Sequence, residues 1–254
     1  MSIIIKTPEE IEILREGGRR LARIMQEVIN KVKPGISTQE LNDYAEKLIR
    51  EGGDKPAFLD YKPKGVNRGY PASLCTSVNN EIVHCIPNKE KILKEGDIIS
   101  LDLGVNHKGL FTDHARTVPV GKISRKNQEL LDTTKEALKI GIKAARGGGR
   151  VGDIGHAIES FINKRYGIVR ELAGHGVGKK VHEDPYIPNF GKKGKGEKLV
   201  PGMVVALEPM LNIGGDAIDT PDNYTIQTAD ESFSAHFEHT ILITKGEAEI
   251  LTKV

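Results

Sequence analysis

The chain repeats itself faintly, and this repeat limits its fold more than any single motif. PGISTQELNDYAEKLIREGG (34–53) and GGGRVGDIGHAIESFINKRYG (147–167) share an apolar pattern: Leu41, Leu48 and Ile49 fall on Ile154, Phe161 and Ile162 at a constant offset of 113. GDIISLD (96–102) matches GMVVALE (202–208) at an offset of 106, and TDHART (112–117) echoes FEHTIL (237–242) at 125. VHCIP (83–87) and VHEDP (181–185) set His84 on His182. The matches keep one order through the chain. They predict an α+β fold of two similar halves, each a helix pair with antiparallel strands, packed about a pseudo-twofold axis. The halves are expected at about 1–122 and 123–254, within one domain spanning 1–254.

Local signals agree. Thr7-Pro8-Glu9-Glu10 is a capping box with proline at the first helical position. Behind it Ile11, Leu14, Leu21, Met25, Val28 and Val32 make one apolar face, which Pro34-Gly35 ends. A second helix is expected over 38–50, and two more over 125–145 and 151–165. Strand-like runs cover 98–105, 115–120, 203–207 and 239–244. GKKGKGEK (191–198) reads as an exposed loop. An apolar fraction of 38% over 254 residues suits a globular protein with its own core. A net charge of +2 makes no case for nucleic-acid binding. No apolar run approaches the ~18 residues of a membrane span, and Cys75 and Cys85 form no C-x-x-C pair. A cytoplasmic location is expected.

The repeat also superposes acids on acids, Asp102 on Glu208 and Asp113 on Glu238. A carboxylate at a buried strand is costly to desolvate unless it is paired. Four facing a symmetry axis repel one another, and cations between them remove that penalty. LAGHGVGKKVHEDP (172–185) holds His175 and His182 seven apart in a run that alternate glycines keep from being helical. Its glycines allow tight turns and close approach to a ligand, so both imidazoles can reach one cavity from two sides of a turn. Four carboxylates and one imidazole suit two divalent ions, drawn from Fe, Co, Mn or Zn. An ion pair ~3.5–4 Å apart can clamp a bridging hydroxide and polarise a carbonyl.

At these residues the sequence resembles the type I methionine aminopeptidases, metallopeptidases of pita-bread fold. The resemblance covers almost the whole chain. It is carried by HCIPN (84–88), LDLGVNHKGLFTDHA (101–115) with two aspartates eleven apart, GHGVGKKVHEDP (174–185), LEPML (207–211) and SAHFEHTIL (234–242). It implies metal ligation by Asp102, Asp113, His175, Glu208 and Glu238, with Asp113 and Glu238 bridging two divalent ions (Co, Mn, Fe or Zn). Asp102 would chelate one ion, and His175 and Glu208 would hold the other. His182 would bond the scissile carbonyl or its oxyanion, His84 would lie near the amide nitrogen, and Glu208 would shuttle a proton. The implied reaction removes the initiator methionine from nascent chains with a small second residue, a rule that Met1-Ser2 itself fits.

The same resemblance implies a methionine pocket of Tyr61, Tyr70, Cys75 and Tyr224, with Phe58 less firmly placed. Cys85, Val181 and Tyr224 stand where the family commonly has glycine, an aromatic residue and tryptophan, and DYKPKGVNRG (60–69) is longer than in many members. Two other readings are a proline-specific aminopeptidase or prolidase of the same fold, and a non-enzymatic pita-bread binding protein. The partners expected are nascent polypeptide N-termini and, through the basic loop 192–198, the ribosome. A monomer is expected from the family.

Overall fold

Among the described residues four helices form the outer layer, and three of them begin at a Ser or Thr that caps the first turn. In a computed structural model, residues 3–62 and 68–254 are described. Met1, Ser2 and the middle of the long 60–69 stretch lie outside these residues. Helix α1 is Pro8–Ile29; the Thr7 hydroxyl accepts the Glu10 N–H, and the Glu10 carboxylate accepts the Thr7 N–H at 2.9 Å. Helix α2 is Thr38–Glu51 and carries a second such box, Ser37 with Glu40, which the sequence reading missed. Ser124 caps α3, Arg125–Ala144. Helix α4 is Val151–Ile162, ending before the expected 165 because Asn163 takes a left-handed conformation at φ 46°.

The helices pair off against two antiparallel sheets. Leu21, Met25 and Val28 of α1 and Leu41, Ala45 and Ile49 of α2 pack on Ile99, Leu101, Leu103 and Val105. Leu130 and Leu138 of α3 and Ile154, Ile158 and Ile162 of α4 pack on Val205, Leu207, Ile241 and Ile243. Each buried Leu, Ile, Val or Met among them contributes about 1.5–3 kcal/mol relative to exposure.

In the first sheet the central strand Ile98–His107 pairs along its length with Leu110–Pro119, and with Leu74–Val78 and Lys55–Pro56 on its other edge. In the second, Val204–Leu207 lies between His239–Leu242 and Gly174–Gly176, with Glu183–Ile187 and Glu249–Ile250 outside. Two smaller three-stranded sheets complete the fold. The α+β expectation of helix pairs over antiparallel strands therefore holds.

Two details differ from the sequence reading and bear on the site. Strand 98–105 runs on to His107 and strand 115–120 starts at Leu110, so Asp113, which fell before the expected strand, sits with Asp102 inside one long hairpin. Lys108 (φ 50°) and Gly109 (φ 87°) make its two-residue turn. The second detail is register. Asp102 faces Ala115; carried over by the repeat offsets, Glu208 should face Thr240. Instead Thr240 faces Ala206, a slip of two residues. Because side chains alternate with period two, the slip keeps Glu208 on the same face.

Candidate active site

Alternation along the central strands delivers the acids. Leu101 and Leu103 face the helices, so Ser100, Asp102 and Gly104 face away from them; Val205 and Leu207 do the same for Ala206, and Glu208 follows directly where that strand ends. Asp113 faces inward from the partner strand of the hairpin, its backbone fixed by Thr240. The Thr240 hydroxyl accepts the Asp113 N–H at 2.9 Å and donates to the Asp113 carbonyl at 2.8 Å. The Glu238 N–H donates to the Ala115 carbonyl at 2.9 Å, bringing the fourth acid across from the other half. Asp113, His175 and Glu238 each place a ligand atom within 4.8 Å of the others. His175 Nε2 lies 3.5 Å from Glu208 Oε1.

The two histidines of the glycine-rich run arrive from opposite sides of a turn, their ring centroids 4.3 Å apart. The glycines beside His175 have a different cause from the one expected. GHG is a strand squeezed between two neighbours: a Cβ on Gly174 would lie 2.3 Å from the Ala206 carbonyl oxygen, and one on Gly176 2.3 Å from that of Asp184. Close strand approach, not approach to a ligand, excludes side chains there. His175 Nδ1 is 2.9 Å from the Gly176 carbonyl, so it donates there, and the Nε2 lone pair faces the acids. His84 reaches the same cavity from a left-handed backbone position, φ 61°. Burial, with neighbouring imidazoles, pushes its pKa down to about 4 and that of His182 down to about 3, so both rings are neutral at physiological pH. Tyr61 Oη lies 2.6 Å from His182 Nδ1.

Beside this polar floor stands an apolar wall. The cavity is about 440 Å³ and is lined by all the residues named from the sequence: the four acids, His84, His175 and His182, and Tyr61, Tyr70, Cys75, Tyr224 and Phe58. The Tyr70 hydroxyl donates to the Cys85 carbonyl at 2.9 Å, and its ring meets Tyr224 edge-on at 5.7 Å. Tyr224 Oη reaches the Arg68 and Gly69 carbonyls, tying the wall to the end of the 60–69 stretch. Val181 belongs to the same apolar cluster. Sequence reasoning missed Leu172, Glu183 and Tyr186, which also line the cavity. It also missed His236, whose Nε2 lies 3.5 Å from Glu208 Oε2. A period-two reading of SAHFEH sets His236 on the face of Glu238 and was the available signal.

The donor set fits divalent cations. Burial, reinforced by mutual repulsion, lifts the Asp113 and Glu238 carboxyls well above the usual range, and burial raises Asp102 and Glu208 too. Among the described residues no lysine or arginine pairs with any of the four. Asp102 Oδ1 and Glu238 Oε1 are buried with no hydrogen-bond partner. A cation among them would favour their ionised form, and an imidazole lone pair stands beside them.

This fold and this buried cluster define a metallopeptidase: residues 12–245 match metallopeptidase family M24. The chain is 47% identical to methionine aminopeptidase 1 of Bacillus subtilis over 99% of its length and 100% of that protein's. It superposes on the crystal structure of methionine aminopeptidase from Thermotoga maritima with a TM-score of 0.95, at 41% identity and full coverage of both chains. A prolidase from Pyrococcus furiosus shares the fold at a TM-score of 0.76 and 24% identity, over 99% of this chain and 66% of that one. Within family M24 the chain belongs to the methionine aminopeptidases, and it is thus an enzyme, a metal-dependent hydrolase.

Proposed function

We propose that the enzyme removes the initiator methionine from nascent polypeptides whose second residue is small. The observation that carries this reading is a five-donor acid and imidazole cluster set against an aromatic, thiol-bearing wall in one cavity. Asp102, Asp113, His175, Glu208 and Glu238 would hold two divalent ions, Asp113 and Glu238 being shared; Co, Mn, Fe and Zn all suit this set. Bound ions supply Lewis-acid polarisation of the scissile carbonyl and lower the pKa of water.

The chain's own residues do the remaining work. Tyr70, Cys75, Tyr224 and Phe58 receive the methionine side chain, whose thioether packs favourably on aromatic rings. Burial raises the Tyr61 phenol pKa, so it stays protonated and donates to His182 Nδ1. The neutral ring then carries its proton on Nε2 and donates it to the carbonyl oxygen as negative charge develops. His84 stands near the amide nitrogen. Glu208 takes a proton from the attacking water and returns it to the leaving amine. A peptide panel tests the reading: metal-supplemented enzyme is expected to cleave Met-Ala-Ser and to spare Xaa-Pro dipeptides. Cleavage of Xaa-Pro alone would favour the prolidase reading.

The wider setting follows from this reading. The catalytic unit is one domain with halves meeting near 122/123, supported by one core cluster confined to residues between 21 and 120. Action on nascent chains fits a cytoplasmic location, and a monomer follows only by analogy with the family. No helix among the described residues is long and apolar enough to cross a membrane, and both cysteines are free and buried. Lys192, Lys193, Lys195 and Lys198 lie on an exposed loop folded against the start of α4. They offer clustered charge to ribosomal RNA phosphates. Reversing these charges is expected to weaken ribosome sedimentation while leaving free-peptide turnover intact; unchanged ribosome binding would refute the contact.

A further inference from the structure

His236 is only 2% exposed, yet neither of its ring nitrogens has a hydrogen-bond partner. Buried polar groups without partners are rare and call for a cause. Its backbone is fixed in an unusual way. The Thr117 hydroxyl accepts the His236 N–H at 2.8 Å and donates to the His236 carbonyl at 2.9 Å, with Ser100 Oγ a further 2.7 Å from Thr117 Oγ1. Thr240 holds Asp113 by the same pair of bonds from the other half. One device thus pins one residue in each half, and the first of the two is a metal-site carboxylate. His236 does not line the cavity. It stands behind Glu208, with Nε2 3.5 Å from Oε2. That contact is one small side-chain rotation from a charge-assisted hydrogen bond.

We infer that His236 is a positioning residue for Glu208, donating from Nε2–H to the carboxylate and fixing the orientation in which it meets a divalent ion. The inference rests on the metal-centre reading above. Glu208 is then held between two imidazoles: His175 beside it in the cavity, and His236 behind it as support. Outer groups of this kind orient a ligating carboxylate and typically change metal affinity 10–100-fold.

Isothermal titration calorimetry with Mn(II), and the visible spectrum of the Co(II)-loaded protein, test the assignment on wild type, His236→Leu and His236→Gln. Leucine is of similar volume, and without an ion the His236 contact with Glu208 is long, at 3.5 Å, so the metal-free variant is expected to keep its thermal midpoint. Its ion binding is expected to weaken about tenfold or more, with an altered Co(II) spectrum. Glutamine keeps one N–H donor and is expected to restore affinity to within about threefold. Unaltered affinity and spectrum in His236→Leu would overturn the assignment. A spectrum changed as much by glutamine as by leucine would overturn it too, in favour of direct ligation. If His236→Leu fails to fold, His236→Gln alone decides: affinity lost by tenfold with the fold intact contradicts positioning. Wild-type protein that binds no ion would overturn both this inference and the metal-centre reading.

Discussion

In the proposed function, the Tyr61 phenol sets which nitrogen of His182 carries the proton. Tyr61 Oη sits 2.6 Å from Nδ1; with the phenol donating there, Nε2 is the only nitrogen left to donate to substrate. Tyr61→Phe keeps the ring in the apolar wall and removes only the donor. The expected result is a fall in kcat of about tenfold, the worth of one hydrogen bond of about 1–1.5 kcal/mol, with KM little changed. Steady-state kinetics on Met-Ala-Ser would show it; an unchanged kcat would mean that the tautomer is set by something else. At this scale the sequence was legible in residue type and poorly legible in partnership. The acids and His175 could be named because repeat and motif agree. Tyr61 was read as wall alone, because its hydroxyl's partner lies 121 residues away and no local pattern encodes that contact.

Among the elements, the extended arm before α1 holds the turn that carries His182. The Lys6 N–H donates to the Gly202 carbonyl. The Lys6 ammonium meets Glu183 Oε2 at 2.5 Å, with both side chains almost fully buried. Glu183 Oε1 in turn accepts the N–H groups of Lys179 and Lys180, closing the turn just before His182. Burial lowers the Lys6 pKa despite its partner, which marks desolvation as the larger effect and the pair as a lock rather than a net source of stability. Removing one member leaves the other charge buried and alone. Lys6→Met is therefore expected to destabilise the fold by about 3–5 kcal/mol in urea titration. A loss under about 1 kcal/mol, the level of an exposed pair, would contradict the lock. The sequence marked α1 through its capping box, yet nothing in IIIKTPEE (3–10) points to position 183. The Ser37–Glu40 box and the Lys108-Gly109 turn, by contrast, were local signals that could have been read.

For the whole molecule, two helix-covered sheets meet at one buried centre: the first contributes Asp102 and Asp113, the second His175, and Glu208 and Glu238 stand just outside strand ends of the second. The acid-on-acid pattern was visible in the repeat because buried strands tolerate few charges. The two-residue difference in register between the halves was not visible, since a slip of two leaves every side chain on its own face. Asp113 and Glu238 lie close to each other with no basic partner among the described residues, and a divalent cation between them would relieve the repulsion that raises both carboxyls. Ion content per chain, measured by mass spectrometry on protein dialysed against limiting Mn(II), tests that claim most directly. The account predicts two ions in wild type and in His182→Ala, the latter slowed about 10²–10³-fold in kcat, and loss of ions together with turnover in Asp113→Ala. Full ion content in Asp113→Ala, or none in wild type, would contradict it.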